Sequence, residues 1–115
     1  YVAWKVLGND CAYMPQAYYE APPTIKNASI LVCDFSFDYK TTRKLIKNNN
    51  KFYNIDHHQT AFDNLDKLDD KYKMFDINHS GIYLTWKYFF PDKNNRIGVP
   101  IKPNFFLILL TKYRL

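Results

Sequence analysis

The chain has few of the residues that cross-link or interrupt small domains, with two cysteines, three glycines and six prolines in 115 residues. Cys11 and Cys33 are too few for a disulfide framework, so the composition indicates a reducing compartment. Cys33 lies inside an apolar run, which is typical of a buried thiol. The chain must therefore rely on a hydrophobic core, and at this length it has room for one domain.

A long apolar segment is also lacking. Residues 105–110 are wholly apolar, but this run is far shorter than the roughly 20 residues that span a bilayer. No signal-peptide pattern is visible at the N-terminus. We therefore expect a cytoplasmic protein with no membrane partner.

The positive charge is modest. A formal charge of +5 permits an anionic ligand, but it is weaker than the concentrated basic face of a dedicated nucleic-acid binder. Helical spacing places Lys40, Arg43, Lys44 and Lys47 on one side of a predicted helix, and we call these four residues the basic stripe. Two interpretations stay open, an ordinary solvated helix face and a surface that binds phosphates.

Two apolar runs each end in residues that can bind a metal ion. Residues 30–33 lead into Asp34, and residues 51–55 lead into Asp56, His57 and His58. Between them, Asp38 is a good N-cap for a helix that reaches about residue 47. A strand, a helix and a strand at this spacing predict two parallel strands. Their C-terminal ends meet at one edge of the sheet, so the two groups should lie close together.

The remaining pattern is weaker. It predicts a helix over residues 1–7, a short strand over 12–14 that Pro15 ends, a short helix or ordered loop over 62–73, and a short strand over 74–75. A clear helix begins at Ser80 and Gly81 and ends at Pro91, with Ile82, Trp86, Phe89 and Phe90 predicted on one buried face. The segment 92–115 receives no assigned role.

An Asp and two His side chains are costly to bury unless they are paired, protonated or bound to metal. Adjacent strand residues normally point to opposite faces of a sheet. In one ordinary interpretation, therefore, one of the two histidines is a hydrogen-bonded polar group and the other is exposed, and they share no function. At a strand end, however, both can face one cleft. Carboxylates with imidazoles suit Mn²⁺ or a similar ion. Two such ions can hold a phosphoryl group and activate a water.

Five segments of the chain carry a family resemblance: VCDFSF at 32–37, YNIDHHQTA at 53–61, FD at 75–76, SG at 80–81 and WKYFFP at 86–91. Together they resemble the DHH phosphoesterase family. Its members include single-strand exonucleases, oligoribonucleases, cyclic-dinucleotide phosphodiesterases and, more distantly, manganese-dependent inorganic pyrophosphatases. The resemblance covers residues 1–91 and leaves 92–115 as a divergent tail. It implies an α/β domain with a parallel, Rossmann-like sheet flanked by helices.

The resemblance also implies roles for individual residues. Asp34 matches a carboxylate that bridges two metal ions, and His57 matches a metal ligand. His58 matches the histidine that contacts the substrate phosphate in catalysis. Asp56 matches a carboxylate near the metals, as a ligand or as a catalytic support. The implied cofactor is Mn²⁺ or Mg²⁺, and the implied substrate carries phosphate, such as a short oligonucleotide or a nucleotide.

Ser80 and Gly81 match a family turn at a helix start, where a backbone contact to substrate is expected. Two family motifs are not matched: a His with two Asp before the opening helix, and a metal-binding Asp after Pro91, where residues 104–115 contain no acid. We therefore expect a partial domain with unpaired strand edges, one weak metal site and little activity. The alternatives are a non-catalytic nucleotide- or phosphate-binding module and a remnant without activity. The oligomeric state stays open.

Overall fold

The computed structural model describes residues 11–17, 21–90 and 107–111, and the helix predicted over residues 1–7 lies outside these ranges. The described residues form a parallel sheet flanked by helices, which confirms the α/β class. The strands are β1 (Ala12–Gln16), β2 (Ser29–Cys33), β3 (Lys51–Asp56), β4 (Lys73–Phe75) and β5 (Leu107–Thr111). The helices are α1 (Tyr39–Asn48), α2 (Gln59–Leu65) and α3 (Gly81–Phe89), with a 3-10 turn at Asp70–Tyr72.

The strand order is β1-β5-β2-β3-β4, and each neighbouring pair is parallel. The predicted unit of β2, α1 and β3 is therefore confirmed, as is the short strand β4. In the register of β2 and β3, Cys33 lies opposite Ile55. The next residues along the two strands, Asp34 and Asp56, thus emerge side by side at the C-terminal edge.

Strand β5 fills a position that the sequence pattern did not predict. It pairs with β1 on one side and with β2 on the other. Within the described strands β2 therefore has a neighbour on both sides, and β1 and β4 are the outer strands. Pro15 also does not end β1, because that strand continues to Gln16. An outer strand tolerates proline since its nitrogen can face away from the neighbouring strand.

The two faces of the sheet carry separate cores. Successive residues of β2 alternate between them, so Leu31 packs with the α3 side and Val32 with the α1 side. All five residues of β2 are buried, as its unbroken apolar run predicted. The buried cluster under α3 comprises Leu31, Cys33, Ile55, Leu84 and Phe89. The buried cluster under α1 comprises Ile30, Val32, Phe35, Phe37, Leu45 and Phe52.

Helix α1 matches its prediction closely. The Asp38 carboxylate accepts a hydrogen bond from the backbone N–H of Thr41 at 2.7 Å, which is the geometry of an N-cap. Thr42 and Leu45 are buried beneath the helix. Every residue of the basic stripe is exposed on its outer side.

Helix α3 corrects part of its prediction. Ser80 is the N-cap, and its hydroxyl accepts a hydrogen bond from the N–H of Tyr83 at 3.1 Å. Phe89 is fully buried, but Trp86 is 53% exposed, so the predicted buried stripe was wrong for Trp86. Leu84 and Thr85 take the inner face because they share a side of the helix with Phe89. None of the helices in the described ranges has the length and apolarity needed to cross a bilayer.

Candidate metal centre at the strand ends

Four side chains converge at the C-terminal edge of β2 and β3. Asp34, Asp56, His57 and His58 each offer a ligand atom, and these atoms all lie within 4.8 Å of one another. We call this group the strand-end site. The convergence was predicted from the parallel pairing of β2 and β3. Such a group could hold a metal ion.

Asp34 takes its place through an unusual backbone conformation. Its φ angle is 58°, in the left-handed region, and its N–H still donates to the carbonyl of Ile55 at 2.8 Å. Aspartate visits this region more readily than most residues because its short polar side chain can bond locally. The Asp34 carboxylate lies 2.6 Å from Nε2 of His57, and both side chains are about one-third exposed. This pair is therefore open to solvent and to a ligand.

Asp56 is wholly buried and has its carboxylate almost fully occupied. Its Oδ1 accepts from the backbone N–H of His57 at 2.8 Å, from the N–H of His58 at 3.3 Å and from Nδ1 of His58 at 2.6 Å. Its Oδ2 accepts from the Ser36 hydroxyl at 2.7 Å. A buried carboxylate needs such donors to offset its lost hydration. The geometry therefore favours a supporting role for Asp56 over direct metal binding.

His58 is held in one orientation by Asp56. The Asp56 carboxylate accepts the proton of Nδ1, so in the neutral ring Nε2 keeps its lone pair. The ring is 37% exposed, and its centroid lies 4.3 Å from that of His57. Helix α2 begins at Gln59, with His58 as its N-cap residue. Because the strand ends here, the two histidines share one side instead of pointing apart.

Gly81 is needed because Asp34 approaches it closely. A Cβ atom at Gly81 would lie 2.8 Å from Oδ1 of Asp34 and 3.0 Å from its Cγ, closer than real Cβ contacts allow. Gly81 is also the first residue of α3, and a helix N-terminus favours a nearby negative charge. The expected turn at the helix start is therefore present, with Ser80 as the N-cap of α3 and Gly81 in close contact with Asp34. The expected substrate contact stays a prediction.

Two supporting residues were missed in the sequence. Ser36 holds Asp56, as described above, and nothing in its spacing marked it out. Asn54 is fully buried, and its Nδ2 donates to the carbonyls of Val32 at 3.3 Å and Phe35 at 2.8 Å, on either side of Asp34. Among the described atoms its Oδ1 has no hydrogen-bond partner. A polar residue inside a buried strand was the available signal for Asn54.

The neighbouring thiol belongs to the buried cluster under α3. Cys33 is buried directly before Asp34, and this burial raises its pKa to about 12, while a hydrogen bond with Thr85 opposes the rise. The thiolate is therefore scarce at neutral pH, and Cys33 behaves as the buried apolar residue that the sequence predicted.

A second acid and histidine pair lies beyond β4. Asp76 accepts from the N–H of Asn78 at 2.8 Å and from Nδ1 of His79 at 2.7 Å, and these hydrogen bonds lower the pKa of Asp76. The N–H of Asp76 donates to the carbonyl of Asp56 at 3.2 Å. The end of β4 is therefore attached to the strand-end site through the backbone.

The fold and the site together define a class: a parallel α/β protein with an Asp and His cluster at the strand ends that could hold a metal ion. Over 69 residues the chain is 42% identical to an uncharacterized protein of Acanthamoeba polyphaga mimivirus. The matched stretch covers 60% of this chain and 16% of the mimivirus protein, so the similarity spans a small part of that relative. No protein-family model and no solved structure matches the chain.

Proposed function

We propose that this chain carries the metal-binding part of a DHH-type phosphoesterase site. The reaction would be hydrolysis of a phosphodiester or phosphoanhydride bond in an oligonucleotide or nucleotide. The observation that supports it is the convergence of the strand-end site, with all ligand atoms within 4.8 Å. Its position at the C-terminal edge of a parallel sheet is where open α/β folds bind their ligands.

The donor set fits Mn²⁺ better than Mg²⁺. One accessible carboxylate and one accessible imidazole, those of Asp34 and His57, suit Mn²⁺, whereas Mg²⁺ prefers oxygen ligands. Asp34 and His57 would hold the ion in place of the hydrogen bond that they make to each other, because both side chains are accessible. The Asp56 carboxylate is buried and already accepts hydrogen bonds from four donors. When bound, such an ion polarises phosphoryl oxygens and lowers the pKa of a bound water.

The other two residues of the strand-end site, Asp56 and His58, would contact the substrate phosphate or orient the side chain that does. Asp56 fixes the His58 ring through Nδ1 and leaves Nε2 to face a phosphate oxygen. When His58 is protonated, Nε2 donates to that oxygen, which stabilises negative charge as it develops. Ser36 holds the Asp56 carboxylate through its hydroxyl, and Asn54 holds the backbone next to Asp34 through the carbonyl of Phe35. With the ligands that the described residues supply, we propose one ion per chain and slow turnover.

Thermal unfolding with and without millimolar Mn²⁺ is the first test. Wild type should gain stability with Mn²⁺, because a ligand that binds the folded state raises its unfolding midpoint. Asp34→Ala and His57→Ala should lose this gain, and the matched control Asp38→Ala should keep it, because Asp38 caps α1 and does not belong to the strand-end site. Hydrolysis of oligonucleotides, nucleotides and pyrophosphate is then compared for wild type and His58→Ala. Absence of any Mn²⁺ effect on a cooperatively folded wild type would refute the proposal.

The basic stripe favours a second candidate, a non-catalytic phosphate-binding module. Its four cations are all exposed, and no carboxylate within the described ranges forms an ion pair with them. Phosphate contacts of this kind give salt-sensitive binding. Oligonucleotide binding that weakens with salt and with Arg43→Ala, yet survives His57→Ala and His58→Ala, would favour this module over the enzyme.

A further inference from the structure

A cleft opens beside the outer strand β4, away from the strand-end site. It has a volume of about 440 Å³, and none of the four residues of the strand-end site lines it. Clefts of about 300–1,000 Å³ that combine rings with a few polar groups are the usual binding sites of small molecules. The lining includes three rings and three charged side chains, namely Tyr53, Phe62, Phe75, Asp66, Asp70 and Lys73.

The rings of the cleft are held by contacts within the protein. The Tyr53 hydroxyl donates to the carbonyl of Lys73 at 3.2 Å, and the Tyr53 ring stacks on Tyr88 with centroids 4.7 Å apart. The centroids of Phe62 and Phe75 are 5.8 Å apart, with an interplanar angle of 59°. A preorganised wall lowers the entropic cost of binding a ligand. The cleft therefore offers fixed, flat apolar surfaces.

The two carboxylates of the cleft are available to a ligand. Asp66 is exposed, and within the described part of the chain its carboxylate has no hydrogen-bond or ion-pair partner. The Asp70 carboxylate lies 3.9 Å from Nζ of Lys73, which is longer than a hydrogen bond, and its side chain is 97% exposed. Burial raises the pKa of Tyr53, and the negative charge of Asp70 raises it further. The wall of the cleft therefore lies in a negative potential.

The ammonium of Lys73 is committed to the end of α2. It donates to the carbonyl of Leu65 at 2.8 Å and to that of Asp66 at 3.2 Å. The last carbonyls of a helix carry partial negative charge, so they balance a cation that is placed there. The carboxylates of Asp66 and Asp70 then leave the cleft negative.

We propose that this cleft binds a small organic cation, in which an amidinium, guanidinium or ammonium group is joined to a flat apolar body. The body packs against the rings of Phe62 and Phe75, and the cationic group faces the two carboxylates. Aromatic faces and carboxylates both attract cations, so the two parts of the lining favour the same ligand. The volume lies in the range of small-molecule sites, which favours a whole molecule over one inserted side chain of a protein partner. The cleft is separate from the strand-end site, so the inference goes beyond the proposed function.

The test uses three probes of one shape and different charge. Benzamidine is flat and cationic, benzamide is flat and neutral, and benzoate is flat and anionic. NMR titration of isotope-labelled wild type in EDTA follows the backbone signals of Phe62 and Phe75, which separates binding in the cleft from binding at Asp34. We expect benzamidine to bind with a dissociation constant of roughly 1 mM, about tenfold more tightly than benzamide. Benzoate should bind no better than benzamide.

The variants locate the cationic group. Asp66→Asn combined with Asp70→Asn should weaken benzamidine binding about tenfold and leave the affinity for benzamide within about twofold. Asp63→Asn is the matched control, because Asp63 is an exposed acid of α2 that accepts from Gln59 at 3.2 Å and does not line the cleft. It should leave the affinity for benzamidine within about twofold. The three positions are exposed, so each variant should stay folded, which circular dichroism verifies.

A fourth substitution tests the ring wall. Phe62→Leu keeps an apolar surface but removes the aromatic face, and it should weaken benzamidine binding about threefold. Unchanged affinity in this variant would contradict the part assigned to the ring.

Equal affinity of wild type for benzamidine and benzamide, or equal affinity of Asp63→Asn and the double variant for benzamidine, would overturn the proposal. Benzamidine that shifts the signals of Asp34 and His57 but not those of Phe62 and Phe75 would place the cation at the strand-end site and would also overturn it. Failure of the proposed hydrolysis appears separately, as an absent Mn²⁺ effect on unfolding, and leaves the titration in EDTA unchanged.

Discussion

The contact between Gly81 and Asp34 allows metal binding to be separated from stability. In Gly81→Ala the new Cβ would stand 2.8 Å from Oδ1 of Asp34, whereas ordinary contacts begin at 3.4 Å. The carboxylate must therefore move back by about 0.6 Å or turn away. Its hydrogen bond to Nε2 of His57 is 2.6 Å long, so either movement breaks the alignment of the two proposed ligands.

The effect on folding should be small. The pair of Asp34 and His57 is about one-third exposed, and such pairs contribute about 0–1 kcal/mol. Replacing a helical glycine with alanine raises the free energy of unfolding by up to about 1 kcal/mol. The free energy of unfolding should thus stay within about 1 kcal/mol of wild type.

The effect on the metal should be large. At an Mn²⁺ concentration of about 100 Kd, binding stabilises the fold by about 2.7 kcal/mol. Changing a residue that orients a metal ligand lowers metal affinity by up to about 100-fold. With that loss, the stabilisation by Mn²⁺ at the same concentration would fall to about 0.4 kcal/mol. A midpoint increase on the order of 10 °C in wild type should therefore shrink to a few degrees in Gly81→Ala.

Differential scanning fluorimetry over an Mn²⁺ titration measures both quantities. Ser80→Ala is the matched control, because it removes the cap of α3 and about 1 kcal/mol of stability without crowding Asp34. It should lower the midpoint but keep the Mn²⁺ response. A Gly81→Ala protein with an unchanged Mn²⁺ response would refute this account of the close contact, and so would a loss of several kcal/mol without metal.

Three other residues give direct tests. In urea unfolding, Asp56→Ala should lower the free energy of unfolding by about 3–5 kcal/mol, because it leaves buried donors unpaired. Asp56→Asn keeps an acceptor and should lower it by less than half as much. Equal losses for the two variants would contradict this. Hydrogen bonds from Thr41 lower the pKa of Asp38. The ionised Asp38 therefore stabilises the fold above pH 3.8, and this contribution is lost as the pH falls below that value. In Asp38→Ala the free energy of unfolding should depend less on pH in this range. Iodoacetamide at pH 8 should label Cys33 only after unfolding, and rapid labelling of native protein would disprove its burial.

The grouping of the four residues of the strand-end site could be predicted from the sequence. The apolar run before Asp34 and the cap at Asp38 imply the order strand, helix, strand, and parallel pairing then brings Asp34 to the two histidines. These inferences need only neighbours along the chain. The exposed basic stripe follows from helical spacing in the same way.

Long-range features were beyond the sequence pattern. Trp86 was predicted to be buried because an aromatic residue at helical spacing usually faces the core, yet Leu84 and Thr85 occupy that face. Pro15 was predicted to end its strand, since no pattern showed that the strand is an outer one. Ser36 reaches Asp56 across 20 positions, and a hydrogen bond of that separation leaves no periodic signal.

The placement of β5 between β1 and β2 has a consequence for how the chain reaches its native state. Ile30 pairs with Leu107, and Ala12 pairs with the same residue from the other side. During synthesis β2, α1 and β3 can associate early, because their contacts are close in sequence. β1 must wait for a strand made almost a hundred residues later, and until then one side of β2 is open to other chains. Aggregation of nascent chains should therefore depend on how soon β5 arrives.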